Sequence, residues 1–216
     1  MTGAIILLLI VCGVMFFVMK KKNARSSDAK RADQSPVSLS YSKDELRIEN
    51  VEAGGMIQIT GIGPDLEELD VKILARHLYK QGGSKWYELE GESVTGKVWI
   101  DLEEDDELEL TISLKKMRLN AIGLTKKDLE RIDEEENGQF DYEGETYLYE
   151  DSDEAVFYKH GDLSDGETFD YWDFENKAGN KFIGIELWDD GGYDVSYSEP
   201  IASHQITVFS LKGSEK

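Results

Sequence analysis

The chain has 216 residues, 40% of them hydrophobic and 32% charged, a composition that suits a folded body and excludes a low-complexity protein. Residues 44–216 contain seventeen Lys and Arg against forty-three Asp and Glu, a net charge of −26. This charge excludes nucleic acid as a partner, since affinity for nucleic acid depends on neutralising its phosphates. The single cysteine, Cys12, excludes a disulfide framework or a thiolate metal site within one chain.

Residues 2–19 carry no charge, and three lysines follow at 20–22. At 1.5 Å per residue, such a helix spans roughly 27 Å, close to the hydrocarbon core of about 30 Å. No basic residue precedes the segment and no small-residue cleavage site follows it, so it differs from a signal peptide. The sequence therefore predicts an uncleaved single-pass anchor in a bacterial inner membrane. The lysines predict that the body lies in the cytoplasm.

Residues 20–43 are polar, contain several serines and Pro36, and carry a net charge of +5. This composition is typical of a flexible tether. We expect its lysines to contact anionic lipid headgroups.

The body contains two segments of similar pattern. An offset of 85 residues superimposes the aromatic and acidic residues 86–90 on 171–175. The same offset places the alternating apolar residues of 98–102 on 183–187, and those of 108–112 on 193–197. Period-two alternation is the pattern of half-buried strands. The repeat therefore predicts two tandem related antiparallel β units.

Taken in chain order, the body is predicted to be mainly β, each unit resembling a meander or a small barrel. Thr125 and Asp128 form a variant of the capping box, which predicts a short helix ending near Asn137. We expect a first strand at Leu46–Val51 and separate strands at 146–149 and 155–158. The predicted parts are the first β unit at 44–118, a linker with the helix at 119–137 and the second β unit at 138–213.

Acidic residues occupy the predicted hairpin tips of both units. Oxygen-rich loops of this kind bind calcium when their ligands are suitably spaced. Neither tip has the alternating acids and glycine of an EF-hand, so we interpret both as solvated turns. The only candidate metal ligands, and weak ones, are Asp105, Asp106, Asp189 and Asp190.

The sequence contains no catalytic constellation and no cofactor fingerprint. The three histidines are isolated and lack the spacing of a zinc site. Four acids alternate with apolar residues on the aromatic strands, and paired carboxylates can act as acid and base. Nothing in the sequence fixes their separation, so we interpret them as surface groups: Glu88, Glu90, Asp173 and Glu175.

Most of the aromatic side chains are predicted to lie in the core. Trp99 and Trp188 fall on the strand face opposite to the buried positions at 98 and 183. We therefore expect them to be the more exposed pair and a candidate interaction surface.

The aromatic strands of both units also resemble a known family. Segments 86–89, 98–102, 147–150 and 171–175, with Glu186-Leu187-Trp188, resemble the bacterial domain of unknown function DUF4178. The likeness covers about residues 46–211. It implies no established activity, and it implies an occurrence near membrane and polyamine-related proteins.

Two classes of function remain open. The leading hypothesis is a membrane-anchored cytoplasmic interaction or scaffold module without an enzymatic activity, whose protein partner presents a basic surface. The alternative is an enzyme that uses carboxylates, with or without a divalent cation, or a protein that binds cations or polyamines.

The predicted anchor can be tested by fractionation. We expect the full chain to stay in the membrane fraction after alkaline washing, because residues 2–19 span the bilayer. A C-terminal reporter that is active only in the periplasm should remain inactive. Release of the protein by the wash would contradict the anchor, and reporter activity would contradict the orientation.

Overall fold

The computed structural model of the chain describes residues 42, 45–62, 67–104 and 107–213. Within them, eleven strands form one antiparallel sheet and a single α-helix follows the fifth strand, so the fold is mainly β as predicted. No helix in this part of the chain is long and apolar enough to span a membrane. The elements are β1 (Met56–Ile62), β2 (Glu67–Gln81), β3 (Ser84–Ser93), β4 (Gly96–Glu104), β5 (Leu108–Met117), α1 (Lys126–Glu135), β6 (Gln139–Tyr142), β7 (Glu145–Tyr158), β8 (Gly166–Asn176), β9 (Phe182–Trp188), β10 (Tyr193–Pro200) and β11 (Ile206–Ser210).

The strands follow the order β11-β1-β2-β3-β4-β5-β10-β9-β8-β7-β6. The long strand β2 pairs along one edge with β3. Along its other edge it pairs first with β1 and then, at Leu78, Tyr79 and Lys80, with β7. This last pairing joins β2–β5 and β7–β10 into a closed circuit of eight strands. Strands β1, β6 and β11 lie outside the circuit.

The apolar side chains form two main clusters, which we call the first core and the second core. Strands β1–β5 surround the first core, and β6–β10 with α1 surround the second. A smaller aromatic cluster, the aromatic junction, lies near the β2–β7 pairing. The first core includes Ile57, Ile59, Val71, Ile73, Leu89, Val98, Ile100, Leu102 and Ile112. The second includes Leu129, Ile132, Tyr147, Trp172, Phe174, Ile183, Ile185 and Val195. The aromatic junction comprises Tyr79, Trp86, Ala155, Phe157, Phe169, Tyr171 and Trp188.

Besides register shifts in β1 and β11, three strands of the closed circuit contain a bulge that changes the face they present to a core. The register slips by one residue at Leu74 in β2, at Leu114 in β5 and at Glu150 in β7. Because strand side chains alternate with a period of two, one extra residue turns all later side chains to the opposite face. The two extra leucines are exposed, at 37% for Leu74 and 47% for Leu114. We call the face of the circuit that points away from both cores the inner face.

Strand pairing corrects the constant offset of 85 residues between the two copies. Leu102 pairs with Leu110, but the residue 85 positions after Leu110, Val195, pairs with Ile185. Strands β4 and β9 therefore correspond with an offset of 83. The reason is the preceding hairpin: eight residues separate the paired Glu90 and Trp99, whereas six separate the equivalent pair in β8 and β9.

The helix is where the capping residues predict it. The amide of Thr125 donates to Asp128 Oδ2 at 2.8 Å, and the amide of Asp128 donates to the Thr125 hydroxyl at 3.4 Å. Leu129 and Ile132 face the second core. The helix ends at Glu135, as the predicted helix over 125–135 does, and its C-cap Glu136 adopts a left-handed conformation with φ 47°.

Two strand predictions are wrong in detail. Residues Ile48–Asn50 form a 3-10 helix instead of a strand, and only Ile48 of them is buried. Segments 146–149 and 155–158 belong to one strand, β7, because the chain continues through the bulge at Glu150 without a turn.

Some sequence predictions fall on residues that the structure does not describe. They are the anchor at 2–19, nearly all of the tether at 20–43, and the acidic pair Asp105 and Asp106. The division into domains at 119–137 stays a prediction, since one continuous sheet contains both halves.

The core assignment predicts the effect of truncating Ile185, which is fully buried. We expect Ile185→Ala to lower the free energy of unfolding by about 2–4 kcal/mol, because the change removes buried methyl groups and leaves a cavity. Leu163→Ala is the control, since Leu163 is 62% exposed, and should change stability by less than about 0.5 kcal/mol. Equal effects in denaturant unfolding would refute the assigned face of β9.

Candidate functional site, a lysine among buried carboxyls

Lys116 lies on β5 just beyond the bulge at Leu114. If the present sequence alternated regularly without a bulge, the side chain of Lys116 would share the strand face of Leu110 and Ile112, which belong to the first core. The bulge turns it to the inner face instead. There its ammonium lies 3.7 Å from Glu88 Oε2 and 5.0 Å from the centre of the Trp99 ring.

Four carboxyl groups raise the pKa of this lysine, and one of them, Asp194, is exposed. We call Lys116 and the other three, Glu88, Asp101 and Glu186, the charged cluster. Glu88 on β3 lies directly opposite Asp101 on β4. Asp101 accepts a hydrogen bond from the hydroxyl of Thr111 at 3.1 Å. Like charges in opposite positions of neighbouring strands destabilise a sheet. The cluster therefore requires either the lysine cation or retained protons.

The pKa values favour both the lysine cation and the retention of protons by the carboxyls. Burial raises the pKa of Glu88 to about 8 and that of Glu186 to about 7, while Lys116 opposes each shift. Burial also raises the pKa of Asp101. Burial acts to lower the pKa of Lys116, but the surrounding carboxylates, Glu88 foremost, outweigh it and the pKa is raised. The environment thus favours the charged form of the lysine and the protonated forms of the carboxyls.

Small and aromatic residues complete the inner face. Gly184 on β9 lies opposite Ser196, and a Cβ at this glycine would come 3.0 Å from the serine hydroxyl. Tyr79 stacks on Trp86 with ring centres 5.3 Å apart. Burial, reinforced by Glu88, raises the pKa of the Tyr79 hydroxyl well above its usual range. The site is therefore closely packed around its charges.

The two tryptophans predicted to form an interaction surface lie on this inner face, and both are half-buried. Trp99 lies under Lys116. Trp188 stacks on Phe169 with ring centres 4.7 Å apart. Its indole nitrogen is shielded from solvent and makes no hydrogen bond of good geometry, although it is near enough to Glu186 to act on the pKa of that carboxyl. Their role as an interaction surface stays a prediction.

The acidic pair Asp189 and Asp190 occupies the turn between β9 and β10. Both are exposed, and Asp190 Oδ1 accepts the amide of Gly192 at 2.7 Å, as in a solvated hairpin tip. Among the described residues, no three His, Cys, Asp or Glu side chains are arranged to bind a metal. The other candidates, Asp105 and Asp106, are not among the described residues.

Two histidines that are isolated in the sequence lie together in the fold. His77 is buried on β2, and its Nδ1 accepts the backbone N–H of His160 at 3.1 Å. Its Nε2 lies 3.5 Å from Glu90, which also pairs with Lys97. Because Nδ1 accepts a hydrogen bond, His77 is neutral and carries its proton on Nε2. It fastens β2 to the turn Lys159–Gly161.

The four acids interpreted as surface groups differ in their environment. Glu88 is buried, which corrects that interpretation, whereas Glu90, Asp173 and Glu175 are half-buried. The same alternation would have included Asp101 and Glu186, since each alternates with buried aliphatic residues. No sequence signal identifies Lys116, because its face depends on the bulge.

The charged cluster has two chemical capabilities. Carboxyls whose pKa values lie near neutrality can exchange protons, which is the property of acid–base groups in active sites. The same carboxyls and the adjacent rings can also hold a cation, a place that Lys116 fills.

The family model described as Domain of unknown function (DUF4178) matches residues 65–203. This range contains the whole charged cluster and all strands of the closed circuit. No curated protein and no solved structure matches the chain.

The charged cluster predicts a pH-dependent stability. A carboxyl with a raised pKa binds its proton more tightly in the folded chain, so stability falls as pH rises from 4.5 towards about 8. His77, whose pKa is lowered by burial, acts in the opposite direction below 6.5. We therefore expect the free energy of unfolding to fall by about 1–2 kcal/mol between about pH 6.5 and 8.

Glu88→Gln should remove most of that decline, because a glutamine has no proton to lose. Glu92→Gln is the control, since Glu92 is exposed on the same strand. The measurement is denaturant unfolding at several pH values. A wild-type stability that is constant across the window would show that Glu88 does not retain its proton.

Proposed function

Because the chain belongs to the DUF4178 family, whose description assigns no activity, we propose its function from the geometry. It is a non-enzymatic interaction module for a protein partner with a basic surface. The observation that carries this proposal is the uncompensated acidity of the body, −26 over residues 44–216. The strands of the closed circuit hold many of these acidic side chains in fixed positions.

The ion pairs explain why the acidity remains uncompensated. Each pair between Lys or Arg and an acid in the described part joins one cation to one carboxylate, as in Lys97 with Glu90 and Arg131 with Glu135. Pairing therefore uses cations and acids in equal number and leaves the excess of acids unchanged. Exposed pairs of this kind also contribute little stability, about 0–1 kcal/mol. The acidic surface thus does little for folding, which supports a role in recognition.

The charged cluster has a structural role under this proposal. Lys116 comes from β5 and Glu88 from β3 in the first half of the sheet, whereas Glu186 comes from β9 in the second. The lysine therefore holds acids from both halves together across the inner face. Removal of one partner from a buried pair leaves an uncompensated charge and is strongly destabilising.

We also propose where the module acts. Residues 2–19 would anchor it in a bacterial inner membrane, and residues 20–43 would tether the body in the cytoplasm. Anionic headgroups repel the body and attract the basic tether. This charge distribution keeps the acidic surface away from the bilayer and open to a partner.

The partner's charge can be tested kinetically. A native pull-down from membranes supplies a candidate, and its association rate with the full chain is then measured at rising salt. We expect the rate to fall steeply, because electrostatic attraction speeds encounter and salt screens it beyond about 8 Å at physiological ionic strength. A rate that does not depend on salt would mean that the acidic surface plays no part in recognition.

A second candidate function is an enzyme that uses carboxylates, or a protein that binds divalent cations or polyamines. The observation that favours it is the pair Glu88 and Glu186, whose pKa values lie near neutrality beside a fixed cation. Such perturbed carboxyls are common at active sites, though structural networks also produce them.

Cation titration separates the two candidates. A divalent ion or polyamine that binds the folded chain should add about 2.7 kcal/mol to its stability at 100 times the dissociation constant. Under the leading proposal, we expect no saturable shift in thermal melting with calcium, magnesium, manganese or spermidine. A saturable shift that disappears in Glu88→Gln would favour the second candidate at the charged cluster. One that disappears in the double variant Asp189→Asn/Asp190→Asn would favour the hairpin tip.

A further inference from the structure

The circuit of eight strands closes through a short contact between β2 and β7. Three residue pairs form this contact, and they join Leu78, Tyr79 and Lys80 to Tyr158, Phe157 and Val156. Every other pairing within the circuit has at least six residue pairs, and that of β2 with β3 has nine. The closure is therefore the part of the circuit where one additional hydrogen bond matters most.

The turn Lys159–Gly161 follows this contact directly and supplies such a bond. The backbone N–H of His160 donates to Nδ1 of His77 on β2 at 3.1 Å. The backbone of His160 is left-handed, with φ 53°, which is uncommon for a residue other than glycine. The ring of His77 is 4% exposed and packs against Phe157 with ring centres 5.0 Å apart. A buried, titratable ring thus holds a turn of uncommon backbone conformation.

The nitrogen that accepts this hydrogen bond is also the one that must take up a proton. The Nε2 atom of His77 lies 3.5 Å from Glu90 Oε2 and carries the hydrogen that faces this carboxylate. A second proton can therefore be added only at Nδ1. Both nitrogens of an imidazolium are donors, so the N–H of His160 would then meet another donor. Protonation of His77 and the closed turn exclude each other.

Two carboxyl groups of β3 face the ring of His77. Glu90 attracts an imidazolium, although it also pairs with Lys97 of β4. Glu88 lies directly opposite His77, and its pKa of about 8 keeps it protonated and uncharged at mildly acidic pH. An imidazolium at His77 therefore keeps Glu90 as its partner while it loses the turn.

The other charged neighbours of His77 repel an imidazolium. Burial lowers the pKa of His77, and His160 and Lys116 of β5 lower it further, against the attraction of Glu90. The rings of the two histidines have their centres 5.4 Å apart, so a charge on both pushes the turn away from β2. The closed turn thus binds the proton of His77 more weakly than the open turn does. It is favoured above pH 6.5 and becomes less favoured as the pH falls below that value.

We propose that His77 and the turn Lys159–Gly161 form a proton-sensitive latch on the strand circuit: a proton taken up at Nδ1 releases the turn and loosens the pairing of β2 with β7. The pair Leu78 and Tyr158 lies next to the latch, so release of the turn frays the short pairing from this end. The latch does not depend on the partner proposed above.

The test is hydrogen exchange of the full chain in detergent, followed by mass spectrometry at about pH 7.5 and about pH 5.5 and corrected for intrinsic exchange rates. The readout is the protection of residues 156–162, and residues 183–187 of β9 are the internal reference. We expect protection of 156–162 to fall about threefold to tenfold at the lower pH, which corresponds to losing one hydrogen bond. The β9 segment should not lose protection, because the carboxyls of the charged cluster gain stability as they are protonated.

Two variants separate the roles of the histidines. His77→Asn keeps a side-chain oxygen near the place of Nδ1 and cannot titrate, so its protection should not depend on pH. His160→Asn is the matched control, because asparagine tolerates a left-handed backbone and keeps the N–H donor. It should keep the response to pH. Thermal melting of each variant checks that the fold is intact.

A second measurement follows the titration itself. The chain has three histidines, so His160→Asn/His204→Asn leaves His77 alone to be followed by NMR of its ring. We expect the midpoint of this titration to lie below pH 6.5 and to coincide with the midpoint of the loss of protection in the same variant. This comparison holds even where His77→Asn does not fold.

Four results would overturn the inference. The first is a wild-type protection of 156–162 that is the same at both pH values. The second is a response that persists in His77→Asn or disappears in His160→Asn, which would assign the titration to another group. The third is an equal loss of protection in β9, which would mean that the whole fold opens. The fourth is a clear difference between the two midpoints.

Discussion

The closed circuit depends on three one-residue slips in strand register. Each of the three strands carries one extra residue, Leu74 in β2, Leu114 in β5 and Glu150 in β7. Before the slip the strand packs against one apolar core, and beyond it the alternation of side chains is reversed. This reversal allows a single continuous sheet to enclose two cores and still close into a circuit. It also leaves the two extra leucines, Leu74 and Leu114, exposed to solvent.

The same slips create the polar inner face. The negative charge of its acids is offset only by Lys116 and by protons that the carboxyls retain. Glu88 and Asp101 oppose each other on adjacent strands, and Lys116 faces Glu88 because the bulge at Leu114 reverses the alternation of β5. Hydrophobic residues of similar size would hold such a layer together at least as well. What a charged layer adds is a requirement for one relative register of β3, β4 and β5, since any slip separates the lysine from its acids.

Much of the fold follows from local sequence signals, and the site does not. Alternation identifies Ile100 and Ile185 as core residues, and the capping residues locate the helix at Thr125. Alternation fails at Lys116, because a bulge is fixed by pairing with a distant strand and leaves no mark in the local pattern. The same holds for the contact between His77 and His160, which are remote in sequence. A constant offset between the two copies likewise assumes hairpins of equal length, so it cannot show that their lengths differ.

The repulsion between acids is reduced by different physical means on the inner face and on the outer surface. Within the charged cluster, low solvent access makes proton retention the cheaper way to remove negative charge, and Lys116 provides the rest. On the surface, water and salt weaken the repulsion, so a large excess of acids over cations is tolerated. The inner charges therefore respond to pH and hardly to salt, whereas the outer charges respond to salt and hardly to pH near neutrality. Under the proposed function, a basic partner would compensate only the second group, so that recognition and folding would depend on different charges.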